Sequence, residues 1–401
     1  MTMSSAPALN SLERSISTRL ALVFALRMFG LFIVLPILAP YAQSLPMGWG
    51  IEATPHNVGL AVGLAMGAYG LTQAFLYIPY GLLSDRVGRR SVVVVGLLIF
   101  AAGALWAARA ETLVELVAAR AVQGAGAISS VVVAMVADHT RAQVRTRAMA
   151  MVGMSIALTF ALSLVAAPLL EAMVGMSGVF VLIAVLAVLA IGLIVSIKPV
   201  PLPVPTASSM ALLKAVLQDS AQWRLNIGVF VLHAVQMAMW VVIPQRLLDL
   251  HFTHVGSTWL YLAVIVLSMA AMIPLIIRAE KHHRMHQVMR AAIVLIVVSQ
   301  IGLALNLVGA AGIAVSLLLF FIGFNVLEAT QPSLLSKLTN PASKGAAAGV
   351  YNTVQALGLF VGALAGAWLN VAGGALALFA CSALLAAAWL FLHERGRTQT
   401  D

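Results

Sequence analysis

The sequence predicts an all-α integral membrane protein. It has twelve transmembrane helices in two pseudo-symmetric six-helix bundles, with the N- and C-termini cytoplasmic. Three observations predict it. The 401 residues are 62% hydrophobic and only 9% charged, with a mean hydropathy of +1.03, whereas soluble domains carry roughly 25% charge. At about 20 residues per span plus a short turn, this length holds about twelve spans and leaves no room for a soluble domain. Finally, with both termini on one side, 19 of the 23 Lys and Arg fall on that side, as the positive-inside rule requires of the cytoplasmic face.

Apolar runs and the Pro, Gly and charged residues that interrupt them place the first six helices at about 16–41, 56–82, 91–109, 112–138, 146–172 and 178–197. The first run is read as a helix and not a removed signal peptide. The second six fall at about 222–248, 257–278, 287–308, 311–336, 345–370 and 373–392. The predicted organisation is therefore a bundle over about 16–198, a linker over about 199–221 and a second bundle over about 222–393. Within the linker, Lys198-Pro-Val-Pro-Leu-Pro-Val-Pro205 reads as a stiff extended connector. The segment near Leu212 to Leu217 reads as an amphipathic piece on the membrane surface.

A formal charge of +10 would suggest nucleic acid in a soluble chain, but here the basic residues sit in short loops, where orientation explains most of them. Cys381 is the single cysteine, so no disulfide or thiolate metal site is expected. There is no G-x-x-x-x-G-K-[ST] phosphate loop, no His-Glu-x-x-His metal spacing and no nucleophile with its base. No metal, no cofactor and no enzymatic activity are expected, and ATP-driven transport on this chain is excluded.

Four ionisable residues lie deep in predicted spans: Arg27, Arg120, His233 and Glu328. They fall in helices 1, 4, 7 and 10, one in every third helix, which suggests one central cavity. Such groups are expensive in hydrocarbon and face protein or water. Polar neighbours at helical spacing extend each site, as Arg120 with Gln123, His233 with Gln236 and Trp240, and Asn325 with Glu328. Tyr69, Gln73, Asn352 and Gln355 are placed on the same cavity by helical position. A mostly apolar lining with few polar anchors suits an amphiphilic or aromatic solute better than a sugar. Glu328 is the candidate for protonation, since burial favours a neutral acid and a nearby arginine favours the carboxylate. A permanent Glu–Arg pair pinning two helices is the structural alternative. His233 could share the proton or serve as a hydrogen-bonded fixture. Arg27 and Arg120 hold their protons, so they tune the field or contact an anion.

Between helices 2 and 3 runs Gly81-Leu-Leu-Ser84-Asp85-Arg86-Val-Gly88-Arg89-Arg90. Aligning Pro79 with Pro274 sets Asp85 against Glu280, Arg86 against Lys281 and Arg89 against Arg284, each at an offset of 195. Duplication of a six-helix unit and chance likeness of two basic loops are both open.

The loop resembles, at every signature position, the helix 2–3 motif of the major facilitator superfamily, and Arg120-Ala-Val-Gln123-Gly-Ala-Gly126 resembles that family's helix 4 signature. Leu26-Arg27-Met-Phe-Gly30, Phe324-Asn325-Val-Leu-Glu328-Ala and Gly349-Val-Tyr351-Asn352-Thr-Val-Gln355 are similar to its YajR-type branch of proton-driven drug exporters. The resemblance implies a proton-coupled antiporter that exports hydrophobic or amphiphilic small molecules by rocking two halves. It implies a latch in which Asp85 meets the N-terminus of helix 11 near Lys344, where the helix dipole attracts an anion, while Arg89 pairs with Asp138. Gly88 permits the tight turn. The expected partners are a small-molecule substrate, protons and the lipid bilayer, with no nucleic acid, and the chain is expected to be a monomer in a bacterial inner membrane. The exporters' Gly-Pro-rich helix 5 signature reads Leu164-Val-Ala-Ala-Pro168 here. That leaves open a proton-coupled importer, or a non-transporting receptor or scaffold on the same fold.

Overall fold

The computed structural model describes residues 9–141, 143–198, 209–282, 284–305, 309–339 and 343–395, and among them the regular elements are all helices. The first half comprises α1 (Ser11–Phe32), α2 (Leu38–Ser44), α3 (Pro55–Val87), α4 (Arg89–Ala108), α5 (Leu113–Gly124), α6 (Ser129–Asp138) and α7 (Arg145–Val195). The linker helix α8 (Ser209–Gln218) precedes α9 (Ser220–Asp249), α10 (His254–Lys281), α11 (Met285–Ala304), α12 (Gly309–Leu338) and α13 (Lys344–Arg395).

Among the described residues ten helical segments are long and apolar enough to cross a membrane, and they account for twelve passes because two of them are double. The long helices α7 and α13 each change direction at glycine, at Gly175 with φ 66° and at Gly373 and Gly374, the latter with φ 69°. Only glycine enters that left-handed region without strain. Predicted helix 1 is broken over residues 33–37, where Pro36 has no N–H to give the ladder and short turns such as Leu35 N–H to Phe32 O take over. Predicted helix 4 is broken between α5 and α6, where Gly126 lies against the backbone of Gly96 and Phe100 so closely that a Cβ would sit 2.6 Å from the Gly96 oxygen.

Within the first half α7 packs on α1 and α4, and α5 on α3 and α4; within the second, α13 packs on α9 and α11, and α12 on α10 and α11. The halves meet along α3 and α13, along α7 and α10, and where α2 touches α9. Small residues make the first of these possible. A Cβ on Gly59 would lie 2.2 Å from Val371, one on Gly63 2.5 Å from Ala367, and one on Gly70 2.8 Å from the Ala356 oxygen. Such close backbone approach is how helices associate where lipid removes the hydrophobic drive.

The two ends of the molecule differ. At the end distal to the chain termini, one buried apolar cluster runs from Ile33, Leu38 and Met47 to Val235, Ile243 and Leu247, joining both halves. Glu171 on α7 and His254 on α10 add a cross-half pair there at 3.6 Å. At the end holding the termini, the clusters around Val93 and Val132 and around Val229 and Val350 each stay largely within one half, and the small group Ala74, Tyr77, Ala127 and Ala356 crosses.

In the linker the proline-rich residues 199–208 lie outside the described residues, while α8 packs one side against the second half. It buries Val216 in a cluster with Leu225, Val229, Leu335 and Val350 of the second half, leaving Leu217 exposed.

Candidate functional site

The helix 2–3 loop is compact. Gly88, at φ 95°, turns the chain from α3 into α4, and the turn brings Arg89 back over the last residues of α3. Arg89 then contacts Asp85 at 2.5 Å, the Ser84 hydroxyl at 2.6 Å and Asp138 at the end of α6 at 3.1 Å. Ser84 donates its own proton to the Gly81 carbonyl at 2.7 Å. Arg86 is exposed and Arg90 half-buried at the start of α4. α13 begins at Lys344, yet among the described residues Asp85 pairs with Arg89 and makes no bond to the start of α13. The structure thus shows the part of the loop network internal to the first half formed. The side chains of Glu280 and Lys344 lie outside the described residues.

The four intramembrane ionisable residues divide into two groups. In the first half, Arg27 donates to the Ser129 hydroxyl at 2.8 Å. Gln73, with its amide oxygen turned toward the donors, accepts from Arg27, from the Tyr77 hydroxyl at 3.0 Å and from the Tyr69 hydroxyl at 3.3 Å. Arg120 donates to Gln123 Oε1 and to the Ala65 carbonyl, the latter at 3.4 Å. Both guanidinium groups face the Tyr69 ring, Arg120 at 4.8 Å and Arg27 at 5.8 Å from its centroid, a cation–π arrangement that stabilises charge away from water. Arg27 is 1% and Arg120 0% exposed. Among the described residues no carboxylate pairs with either.

In the second half, Glu328 lies 3.6 Å from His233 Nε2 and accepts from Gln355 at 3.5 Å. The partner of Glu328 is thus an imidazole and an amide from α9 and α13. Gln355 also meets His233 Nε2 at 2.7 Å, and His233 Nδ1 lies 3.0 Å from the Val229 carbonyl. The Glu328 side chain is 33% exposed.

An aromatic bridge joins the halves beside these groups. Phe160 of α7 packs on Phe32 of α1 at 5.0 Å and on Phe321 and Phe324 of α12 at 5.8 Å each, and Phe324 in turn packs on His233 at 5.7 Å. Arg27 is five residues from Phe32 and Glu328 four from Phe324, both toward the termini. At about 1.5 Å rise per residue the two polar groups sit at about the same depth in opposite halves.

The expected open cavity is corrected in part. Tyr69, Gln73, Gln123, Gln236 and Trp240 are all buried, and only Asn325, Asn352 and Gln355 keep partial exposure. Helical spacing placed these side chains on inward faces, but it carries no information on what covers a face. Here α3 against α13 and the aromatic bridge cover it. Asn325 turns to the Ser268 hydroxyl of α10 at 3.1 Å, and Trp240 packs on Tyr261 and Phe321. A separate small cleft, lined by Ile243, Arg246, Leu303, Ile313 and Phe379, opens at the distal end of the second half.

Sequence reasoning missed several contacts. Phe160 and Phe324 are apolar residues in apolar helices and carry no signal of their own. Glu13 is held by Arg141 at 2.8 and 3.0 Å, 128 positions apart, and Tyr351 donates to Gln331 at 3.2 Å beside the Glu328 group. The polar character of Ser129, one turn past a Gly-Ala-Gly break, was a usable signal for the Arg27 partner.

Comparison with known proteins follows the same lines. A family model described as Major Facilitator Superfamily matches residues 20–363. The Inner membrane transport protein YajR of Escherichia coli is 38% identical over 382 residues, covering 94% of this chain and 82% of that protein. Multidrug resistance protein MdtH of Aeromonas hydrophila is 28% identical over 370 residues, covering 89% and 86%. Among solved structures, a bacterial homolog of the human lysosomal transporter Spinster, in an inward-facing and occupied conformation, superposes with a TM-score of 0.76 at 13% identity, covering 97% of this chain and 98% of that one. At that identity the likeness concerns the fold alone.

Proposed function

This chain belongs to the major facilitator superfamily, and we propose that it is a proton-coupled antiporter that exports hydrophobic or amphiphilic small molecules by alternating access. At the coarser level it is a multi-pass transporter of the bacterial inner membrane and not an enzyme. Protons enter the reading through Glu328. It is a carboxylate placed deep among the spans beside a second titratable group, it is one-third exposed, and it stands where α9, α12 and α13 converge. That single observation carries the proposal. A carboxylic acid loaded from one side and emptied to the other moves one proton per cycle, and each charge crossing 100 mV releases about 2.3 kcal/mol.

The loop around Asp85 supports the rocking part of the reading. Arg89, Asp138 and Ser84 hold the loop's shape in the first half, and Asp85 is poised to meet the α13 N-terminus when the termini end closes, as a helix dipole favours. Efflux draws on the similarity to MdtH, whose name is that of a multidrug resistance protein.

The test is Glu328→Gln in proteoliposomes with an imposed pH gradient and a lipophilic dye. Gradient-driven accumulation is expected to fall by about tenfold or more, while exchange of dye without a gradient persists. Undiminished gradient-driven accumulation in Glu328→Gln overturns the assignment. One observation favours a second reading, import by symport: two buried arginines in one half, at about the depth of a carboxyl in the other that protonation neutralises, would load a proton and an anion together. Accumulation in right-side-out vesicles favours that reading, and accumulation in inverted vesicles favours export.

A further inference from the structure

The hydrogen-bonding imbalance of the first-half cluster has a direction. Three buried side-chain atoms there have no hydrogen-bond partner: Arg27 Nε, Arg120 Nη2 and Gln123 Nε2. All three are donors. The acceptors that the two arginines already engage are Ser129 Oγ, Gln73 Oε1, Gln123 Oε1, the Ala65 carbonyl and the Met28 sulfur. The cluster therefore has two full positive charges, spare donors and no carboxylate among the described residues. A buried cation without a counter-ion is destabilising by several kcal/mol in a low-dielectric interior, and the Tyr69 ring between the guanidinium groups offsets only part of that.

From this geometry we infer that the substrate is an organic anion, a carboxylate, sulfonate or phosphate ester on an apolar or aromatic body, and that Arg27, Arg120 and Gln123 bind its charged group. The inference rests on the reading above that the two halves rock about a central route. The guanidinium forks match oxyanion geometry, which a lysine ammonium would not. The body of such a molecule has its own site close by. Arg27 stands five residues from Phe32, and Phe32 belongs to the aromatic bridge through Phe160. Opening the halves parts Phe160 from Phe321 and Phe324 and frees ring faces for an apolar group, while the arginines take the anionic end. Because both arginines keep their charge at all working pH values, the preference for anions is a fixed property of the first half and does not depend on the state of Glu328.

The experiment uses the full chain in lipid nanodiscs and three probes of one shape: naphthalene-2-sulfonate, 2-naphthyltrimethylammonium and neutral 2-naphthalenemethanol. Binding is measured by equilibrium dialysis in low-halide buffer, with a parallel chloride titration. The sulfonate is expected to bind about tenfold or more tighter than the ammonium probe, the range of a charge-assisted hydrogen bond. Arg120→Gln is expected to lose about tenfold in sulfonate affinity, with Arg120→Lys falling between. Equal or tighter binding of the ammonium probe by the unaltered protein overturns the inference without requiring any variant to fold. So does unchanged sulfonate affinity in Arg120→Gln, and so does chloride displacing the sulfonate completely at equal concentration, which would make the cluster a halide site. If a neutral or cationic dye is driven by protons and that drive is lost in Glu328→Gln, while no anion binds, the proton-coupled reading stands and the anion inference falls.

Discussion

In the first half Arg27 and Arg120 are sealed from solvent, share one tyrosine ring and engage neutral acceptors. In the second half Glu328 is one-third exposed and faces an imidazole and an amide. The helices that carry them correspond by position, since α1 and α5 hold the arginines as first and fourth spans and α9 and α12 hold the histidine and glutamate. What differs is whether the charge can be switched. A guanidinium is a fixed positive charge, whereas a carboxyl group can gain and lose a proton. The contrast points to a division of labour in which one half holds constant charge and the other variable charge.

The strongest way to break the comparison is Arg120→Ala. It removes a fully buried side chain from the Tyr69 face and leaves Gln123 Oε1 without its donor, and an expected loss of about 3 kcal/mol in unfolding free energy follows from the unsatisfied partner and the void. Denaturant unfolding in detergent measures it. A gain in stability would show instead that repulsion between the two arginines dominates, and the fixed-charge description of the first half would fail.

Next comes a matched pair that asks whether the halves are alike in packing where they differ in chemistry. A Cβ on Gly124 would lie 2.2 Å from the Tyr69 carbonyl, and one on Gly362 2.2 Å from the Ala234 carbonyl. Both neighbours are backbone and cannot move aside cheaply, so Gly124→Ala and Gly362→Ala should each be destabilising by about 2 kcal/mol, within the range of overpacking. Thermal unfolding of the two variants side by side reads the difference. A loss confined to one of them would show that the two halves differ in how tightly such glycine crossings are packed.

A smaller effect is expected at the start of the second half. Asp219 caps α9, accepting from the Ala221 and Gln222 amides at 2.8 and 3.3 Å and from the Gln222 side chain at 2.9 Å. These bonds, the Gln222 side chain foremost, hold its carboxyl below the usual aspartate range. A lowered folded value means the stabilisation is complete above the ordinary aspartate pKa and is lost as pH falls through the folded one. Asp219→Ala should remove about 1 kcal/mol near neutrality. The difference from the unaltered protein should shrink on acidification, which a pH series of melting temperatures will show.

Smallest in stability is Glu328→Gln. The substitution keeps shape at a partly exposed site, and unfolding free energy should change by about 0.5 kcal/mol or less even as gradient-driven transport is lost. A large destabilisation would recast Glu328 as a structural pin and dissolve the contrast between constant and variable charge.

Much of this was legible before any coordinates. Length and hydropathy foretold the spans, because a lipid-embedded backbone must close its own hydrogen bonds and leaves few alternatives to apolar helices. The rarity of charge in such helices drew attention to Arg27, Arg120, His233 and Glu328. The pairing of Glu328 was not legible, since a lone residue on each of four helices is equally compatible with an arginine or a histidine neighbour. Nor was the aromatic bridge, because one phenylalanine among many apolar residues is chemically silent until two helices cross. The breaks at 33–37 and 125–128 were missed because proline and glycine are common in transmembrane helices and interrupt only some of them.

The sequence by itself determined that this is an all-helical membrane protein with a motif-bearing loop at Gly81–Arg90 and four ionisable residues within its spans. These follow from transfer free energies and turn chemistry, which act within a span or a few residues. Only the tertiary structure decided that the two arginines share one cluster, that Glu328 answers to His233 and Gln355, and that one buried apolar cluster joins the halves at the distal end. Those relations join residues up to a few hundred positions apart. They depend on how two six-helix bodies lean on each other, a degree of freedom that no local pattern encodes.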